Sequence, residues 1–426
     1  MNKIAVIGTG IAGNVVARAL HREHDIMVFE RNDYVGGHTH THDIHLGGQR
    51  YAVDSGFIVF NHRTYPHFTR LLGELGVGQQ VSHMSFSVKC DRTGLEYSGT
   101  TLNTLFAQRK NLVSIRFHGM LHDVLRFNRE APALLLKQDD ALTLGRYLEQ
   151  QQYGRAFTDQ YLVPMGAAIW STDPAKMREF PARYFVRFLD NHGMLSVNQR
   201  PQWYVIEGGS HRYVEKLIAP FRERIRLRTP VAGVRRLGDR VVVTTATGEA
   251  IKFDYVFIAT HSDQALRLLE DPSAQEREVL GAIPYQLNEA VLHTDTSLLP
   301  RKRLAWAAWN YHIPYEHEAP VSMTYNMNIL QSLNAPETLC VTLNDNGRID
   351  PARVIQRMRY AHPLYTRAAV AAQDRQGSIN GVRRTFYCGA YWGFGFHEDG
   401  VVSATNALQH FEQGSADAQL PVRRAS

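Results

Sequence analysis

The chain has 426 residues, 44% hydrophobic and 21% charged, with a net charge of +6. That length exceeds what one hydrophobic core supports, so two domains are expected, and no run approaches the ~18 apolar residues that span a bilayer. Cys90, Cys340 and Cys388 are scattered, which excludes a disulfide framework or a C-x-x-C metal knuckle and fits a reducing cytoplasm.

The positive charge suits an anionic partner: cofactor phosphates, an acidic substrate or an anionic membrane surface. The plain alternative is a mildly basic solvated surface. Nucleic acid is not expected.

Ile4 to Ile7 is a β-branched apolar run that predicts a buried parallel strand. Gly8-Thr9-Gly10-Ile11-Ala12-Gly13 follows with G-x-G-x-x-G spacing, and Val15, Val16, Ala19 and Leu20 recur at helical intervals. Asp25 to Glu30 reads as a second strand ending in an acid. In such a unit Gly8 makes the tight turn, Gly10 lets backbone approach a pyrophosphate and Gly13 lets helix pack on strand. Ala12 stands in the same loop. The helix amino terminus offers unpaired N–H groups to the phosphate, and Glu30 accepts from an adenosine ribose. Strand, glycines, helix and acid in register predict dinucleotide binding.

Glu30 is followed by Arg31 and then by Gly36-Gly37-His38. Here the chain resembles flavoproteins of the glutathione-reductase type, in the amine oxidase and phytoene desaturase branch. These carry an acid followed closely by a Gly-Gly-Arg turn that supports the FAD pyrophosphate. The resemblance makes Arg31, Gly36, Gly37 and His38 cofactor residues, with a titratable group where the family has a fixed cation. His38, His40 and His42 alternate, with His45 beyond, and on one strand face they would suggest a metal. Same-face positions ~6.6 Å apart and the lack of a carboxylate or thiolate cluster argue for no metal.

Tyr51 to Asn61 reads as a strand broken at Ser55-Gly56, and the resemblance places Gly56 close to the isoalloxazine. Thr64 to about Arg200 has helical periodicity and is expected to be a largely helical cap. Within it, Asn111 to Leu136 mixes apolar residues with Arg116, His118, His122, Arg126 and Arg129. Such a stretch suits an anionic lipid surface, or equally a surface helix with one face to the core. Strands return at Trp203–Ile206, Ile225–Val231, Val241–Thr245, Ile251–Phe253 and Asp254–Thr260, and the resemblance makes Val231 an adenine contact.

Trp306 to His312 predicts a strand with Trp309 on one face and Trp306 on the other, lining either a tunnel or a packed core. Phe386 to Ala390 is a strand entering a turn, and Val401 to Leu408 is helical. The resemblance gives Gly389 to the ribityl phosphate turn, with Ala390 replacing the family's acid. It also gives the helix start at Gly400-Val401 to the flavin pyrimidine, where its positive end favours negative charge.

The expected fold is α/β: a discontinuous Rossmann-like FAD-binding domain of the glutathione-reductase type (1–62, 200–265 and 380–412) with an α+β substrate domain (63–199 and 266–379). Residues 413–426 are expected to form a flexible tail. The terminal segment Gly389 to Gly400 and the Gly-Gly-His-Thr-His-Thr turn resemble a bacterial subgroup associated with cyclopropane-type fatty-acid methyltransferases. This implies an FAD-dependent oxidoreductase that dehydrogenates a modified phospholipid acyl chain by hydride transfer to flavin N5. It also implies peripheral contact with the inner membrane face and a lipid methyltransferase as partner. No catalytic base is identified; Tyr391, Trp392 and Trp309 are the candidate walls around the flavin. The alternatives are a flavin amine oxidase acting on a small amine, and a non-enzymatic flavin- or lipid-binding partner of the methyltransferase.

Overall fold

In the computed structural model the described residues are 1–137, 139–196, 200–315 and 322–417. Lys3–Ile7 is the middle strand of a five-stranded parallel sheet, ordered Ile225–Arg226, Asp25–Phe29, Lys3–Ile7, Tyr255–Ile258, Thr385–Tyr387. Ile4, Ala5 and Val6 are fully buried because both faces of the sheet are covered. Helices Ile11–Leu20 and His397–Asp417 pack on one face, where Ile4, Val6, Val16 and Ala404 share a core. An antiparallel meander, Val231–Arg236, Val241–Thr245 and Ala250–Phe253, covers the other, with Ala5, Ile7, Val243 and Phe253 in contact. This α/β unit is assembled from the two ends and the middle of the chain.

Arg236 locks the meander down. Its buried guanidinium donates to Glu276 Oε1 and Oε2 at 2.7 and 2.9 Å, and to Asp271 Oδ1 at 2.6 Å. Tyr387 Oη donates to the same Glu276. These contacts hold the Glu276 carboxyl down at about 2 despite its burial.

A seven-stranded sheet forms the second layer system, ordered Val354–Pro363, Tyr285–His293, Cys340–Leu343, Ser322–Asn326, Trp309–Ile313, Phe86–Cys90, Leu95–Ser98. Its pairs are antiparallel except Trp309–Ile313 with Phe86–Cys90. The helices between Ile115 and Asn191 bury Phe127, Phe157, Trp170 and Phe185 in the core that also holds Leu292, Tyr311 and Val341.

Several expectations need correction. The segment 64–200 is helical beyond Leu102, but it also supplies Gln79–Ser82, Phe86–Cys90 and Leu95–Ser98 as strands. Those runs are only four or five residues long; Gln79–Ser82 and Phe86–Cys90 are held by the distant strands Trp203–Ile206 and Trp309–Ile313, and Leu95–Ser98 by its hairpin with Phe86–Cys90. Trp306 is not in a strand: Arg303–Ala305 is a 3₁₀ turn and the strand begins at Trp309. The terminal helix starts at His397, four residues before Val401, and runs through 413–417. The remainder of the expected tail lies outside the described residues.

Candidate cofactor and substrate site

The glycine loop is built as its spacing requires. Gly8 has φ +102°, and a Cβ there would lie 2.7 Å from the Ala259 carbonyl oxygen. A Cβ on Gly13 would stand 2.0 Å from the Gly8 carbonyl oxygen, so helix Ile11–Leu20 rests directly on the turn. Gly10 meets nothing within 4 Å, and its open side faces the cavity. The buried Glu30 accepts from Thr9 N at 3.1 Å and Thr9 Oγ1 at 2.5 Å through Oε2, and from Asn32 N at 2.9 Å through Oε1. A carboxylate offers about four acceptor sites, so Glu30 keeps capacity for a ribose hydroxyl.

The second turn packs on the first. A Cβ on Gly37 would come 3.2 Å from Gly10 Cα, and one on Gly56 would come 2.0 Å from the His38 carbonyl oxygen. His38 projects toward His261, His362 and Tyr360, with ring centres 5.7, 5.6 and 5.1 Å away. Burial pulls all three imidazoles down, His261 and His362 to about 3. They are therefore neutral near pH 7. His362 Nδ1 pairs with the Asn288 amide at 2.8 Å, and His261 stacks on Tyr285 at 4.6 Å. His38 Nε2 is buried without a partner.

The four expected histidines do not converge on one point: the His40 and His42 rings lie 4.2 Å apart, while His38 turns away toward His261 and His362. His40 stacks on Tyr34 at 4.1 Å, His42 Nε2 meets Ser55 Oγ at 2.9 Å, and His45 is exposed. Among the described residues no set of three His, Cys, Asp or Glu side chains is placed to hold a metal ion.

From the far end of the chain come Gly389, Tyr391 and His397. His397 Nε2 lies 2.9 Å from both Thr39 Oγ1 and Tyr213 Oη, tying the terminal helix to the Gly36–Gly37 turn. Gly400 is in the first helical turn, where a Cβ would come 2.6 Å from Ile11 Cγ2, and Val401 is buried in the core beside it.

These segments surround one cavity of about 1420 Å³. Gly8, Gly10, Ala12, Glu30, Arg31, Gly36, Gly37, His38, Gly56, Val231, Gly389, Tyr391 and Trp309 all line it. Gly13, Gly400 and Val401 do not; they set the packing of the two helices behind it. Trp392 also lies outside, against Tyr391, Tyr285 and Ile283.

The cavity is larger than the ~300–1,000 Å³ of an ordinary ligand site, leaving room for a second ligand beside a dinucleotide. Beyond the glycine turns its walls include Phe86, Ile169, Trp170, Phe188 and Tyr325. Glu30 is the only carboxylate among the described lining residues, whereas Arg31, Arg200, Arg267 and Arg359 all reach it. The histidine group and these aromatic walls were missed in sequence. Only His261 had a signal, as the residue after the Ala259-Thr260 strand end.

The donors present suit a flavin dinucleotide: an open Gly10 face, N–H groups of a glycine turn at a helix start, an orphaned His38 Nε2 and an acid at the second strand end. The sequence pattern described as "Flavin containing amine oxidoreductase" matches residues 11–312. The chain is 24% identical over 353 residues to the Mycobacterium tuberculosis protein AofH, named for flavin-containing monoamine oxidase, covering 76% of this chain and 70% of that one. It is 42% identical over 76 residues to a 1-hydroxycarotenoid 3,4-desaturase of a Flavobacterium, covering 18% of this chain and 14% of that one. The crystal structure of a CLA-producing fatty acid isomerase from P. acnes has the same fold, with a TM-score of 0.68 at 16% identity over 96% of this chain and 98% of that one.

Proposed function

The chain belongs to the flavin-containing amine oxidoreductases and is an FAD-dependent oxidoreductase of the amine oxidase and desaturase type, and from that premise we propose that it desaturates a modified fatty-acyl chain of membrane phospholipid. The observation that carries this reading is the lining of the cavity. An amine is a cation at neutral pH, and a carboxylate or an aromatic cage in the lining would favour its entry. Among the described lining residues the one carboxylate, Glu30, is engaged by Thr9 and Asn32 at the ribose end, and the other fixed charges are arginines. A long acyl chain offers few hydrogen bonds and is oriented by apolar walls, which Phe86, Trp170, Phe188 and Trp309 supply. The fatty acid isomerase of the same fold is compatible with this.

When bound, FAD supplies the two-electron acceptor: adjacent carbons of the chain lose a hydride and a proton as a C=C bond forms, and oxygen or another acceptor later removes the electrons. The protein contributes position and a dry site. Phe188 and Trp170, 4.7 Å apart, close the helical side, and Trp309 packs edge-on to Tyr325 at 5.3 Å on the sheet side. The neutral rings of His261 and His362 avoid burying charge beside the apolar space. A methyltransferase that modifies acyl chains is the class of enzyme that would provide the substrate.

Anaerobic incubation of the yellow protein with phospholipids bearing methylated or cyclopropane acyl chains tests the reading. Flavin bleaching and acyl products lighter by two hydrogens are expected. Bleaching by small amines with peroxide release, and none with lipid, would establish amine oxidation instead.

A further inference from the structure

The surface bearing Leu102, Leu112, Val113 and Ile115 is apolar and solvent-facing: these side chains are 77%, 51%, 85% and 90% exposed. Soluble proteins seldom leave so many large aliphatic side chains together in water. The four belong to one local unit. Arg109 ties helix Leu102–Leu105 to the next turn, donating to Asn103 Oδ1 at 2.6 Å and the Phe106 carbonyl at 2.8 Å. The His118 ring reaches the Leu112 carbonyl at 2.9 Å and lies 6.0 Å from Phe106. The turn Arg303–Ala305 packs against helix Leu102–Leu105 and adds the exposed Leu304.

Cations ring this patch. Arg109, Lys110, Arg116, Arg301, Lys302 and Arg303 are all exposed, and none pairs with a carboxylate among the described residues. No Asp or Glu occurs between Glu96 and Asp123. Glu96 itself is buried and accepts from the backbone N–H groups of Arg301 and Lys302 at 3.1 and 2.9 Å. By contrast, Arg126 and Arg129, further along helix Ile115–Glu130, are turned onto Glu130 at 3.0 Å each. The basic, apolar character expected over 111–136 is thus concentrated at its amino-terminal end and in the segment before it.

We infer that this patch docks the protein on an anionic phospholipid bilayer, Leu112, Val113 and Ile115 entering the acyl boundary while the cations meet headgroups. Charge decides the occupant. A second copy would bring the same six cations against these, and a neutral surface would leave them without a counter-charge. Position agrees: Gly99 and Thr100, just before Leu102, line the cavity, and Phe117 packs 5.7 Å from the cavity residue Tyr97. In deepening the acyl-chain reading the inference rests on it for purpose, while docking itself is measurable without turnover.

The full chain is sedimented with phosphatidylcholine vesicles, with and without an equal part of phosphatidylglycerol. Binding is expected only to the mixed vesicles. Arg116→Ala should weaken it about fivefold, and Ile115→Asp about tenfold or more. Arg129→Ala should bind as wild type. All three sites are exposed, and unchanged thermal melting confirms folding. Equal binding by wild type, Arg116→Ala and Ile115→Asp would overturn the inference, as would dimerisation abolished by Ile115→Asp without vesicle binding. Turnover of detergent-dispersed phospholipid is read separately. Its absence with docking intact overturns the acyl-chain reading alone.

Discussion

The His38 ring lies 5.6 Å from that of His362, and its Nε2 is buried with no partner. With His261 they form a group of imidazoles that burial keeps neutral. The neutral form is favoured in the folded state and the charged form in the unfolded state. Stability held near pH 7 is therefore lost as pH falls below the unfolded value of about 6.5 toward the folded value of about 3.

For the apoprotein, urea unfolding should show stability dropping with each step from pH 6 to pH 4. In His362→Gln the slope over that window should flatten by about 1.4 kcal/mol per pH unit, one linked proton. An unchanged slope would mean that His362 titrates normally.

Gly10 and Gly13 separate packing from binding. Gly13→Ala drives a methyl into the Gly8 backbone, which has nowhere to move, and should leave soluble protein scarce and colourless. Gly10→Ala meets nothing in the fold, so its melting temperature should match wild type. Its methyl points into the cavity, however, and FAD affinity, read by flavin fluorescence titration, should fall about tenfold or more (about 1.4 kcal/mol or more).

Trp309 and Trp392 should differ in kind. Trp309→Ala opens the cavity wall, so the yellow protein should persist while KM for the acyl substrate rises. Trp392→Ala removes a side chain packed behind Tyr391, and the readout should be stability, a loss of about 2–4 kcal/mol. A KM effect confined to Trp392→Ala would reverse these assignments.

Glu276→Gln leaves the buried Arg236 charge partly uncompensated, an effect on the order of 3–5 kcal/mol. Because the folded Glu276 carboxyl is held at about 2, its contribution is present above the ordinary carboxylate range and disappears as pH falls toward 2. Wild type and Glu276→Gln should therefore converge in melting temperature in strong acid and stand furthest apart near pH 7.

The dinucleotide half was legible because its rules are local. Gly8, Gly10, Gly13 and Glu30 are fixed by turn geometry and spacing within one strand–helix–strand unit, and Val231 and Gly389, carried over by the resemblance, line the same cavity. The other half was not, because its determinants are long-range. Phe86–Cys90 forms a local hairpin with Leu95–Ser98, but it joins the large sheet only through parallel pairing with Trp309–Ile313, over two hundred residues away. His38 meets His362 only because the edge strand Val354–Pro363 folds back over the Gly36–Gly37 turn, and nothing near either residue announces it. The start of the terminal helix was misplaced because Gly400 reads as a helix boundary, whereas it serves as a bare surface for Ile11.

The strand order of the parallel sheet also governs how the protein comes into being. Lys3–Ile7 waits for Tyr255–Ile258, and that strand waits in turn for Thr385–Tyr387. During synthesis Ile258 must leave the ribosome before Lys3–Ile7 has both neighbours, and Tyr387 before the sheet has its last strand. The nascent amino-terminal third therefore travels with apolar edges uncovered, a client for chaperones.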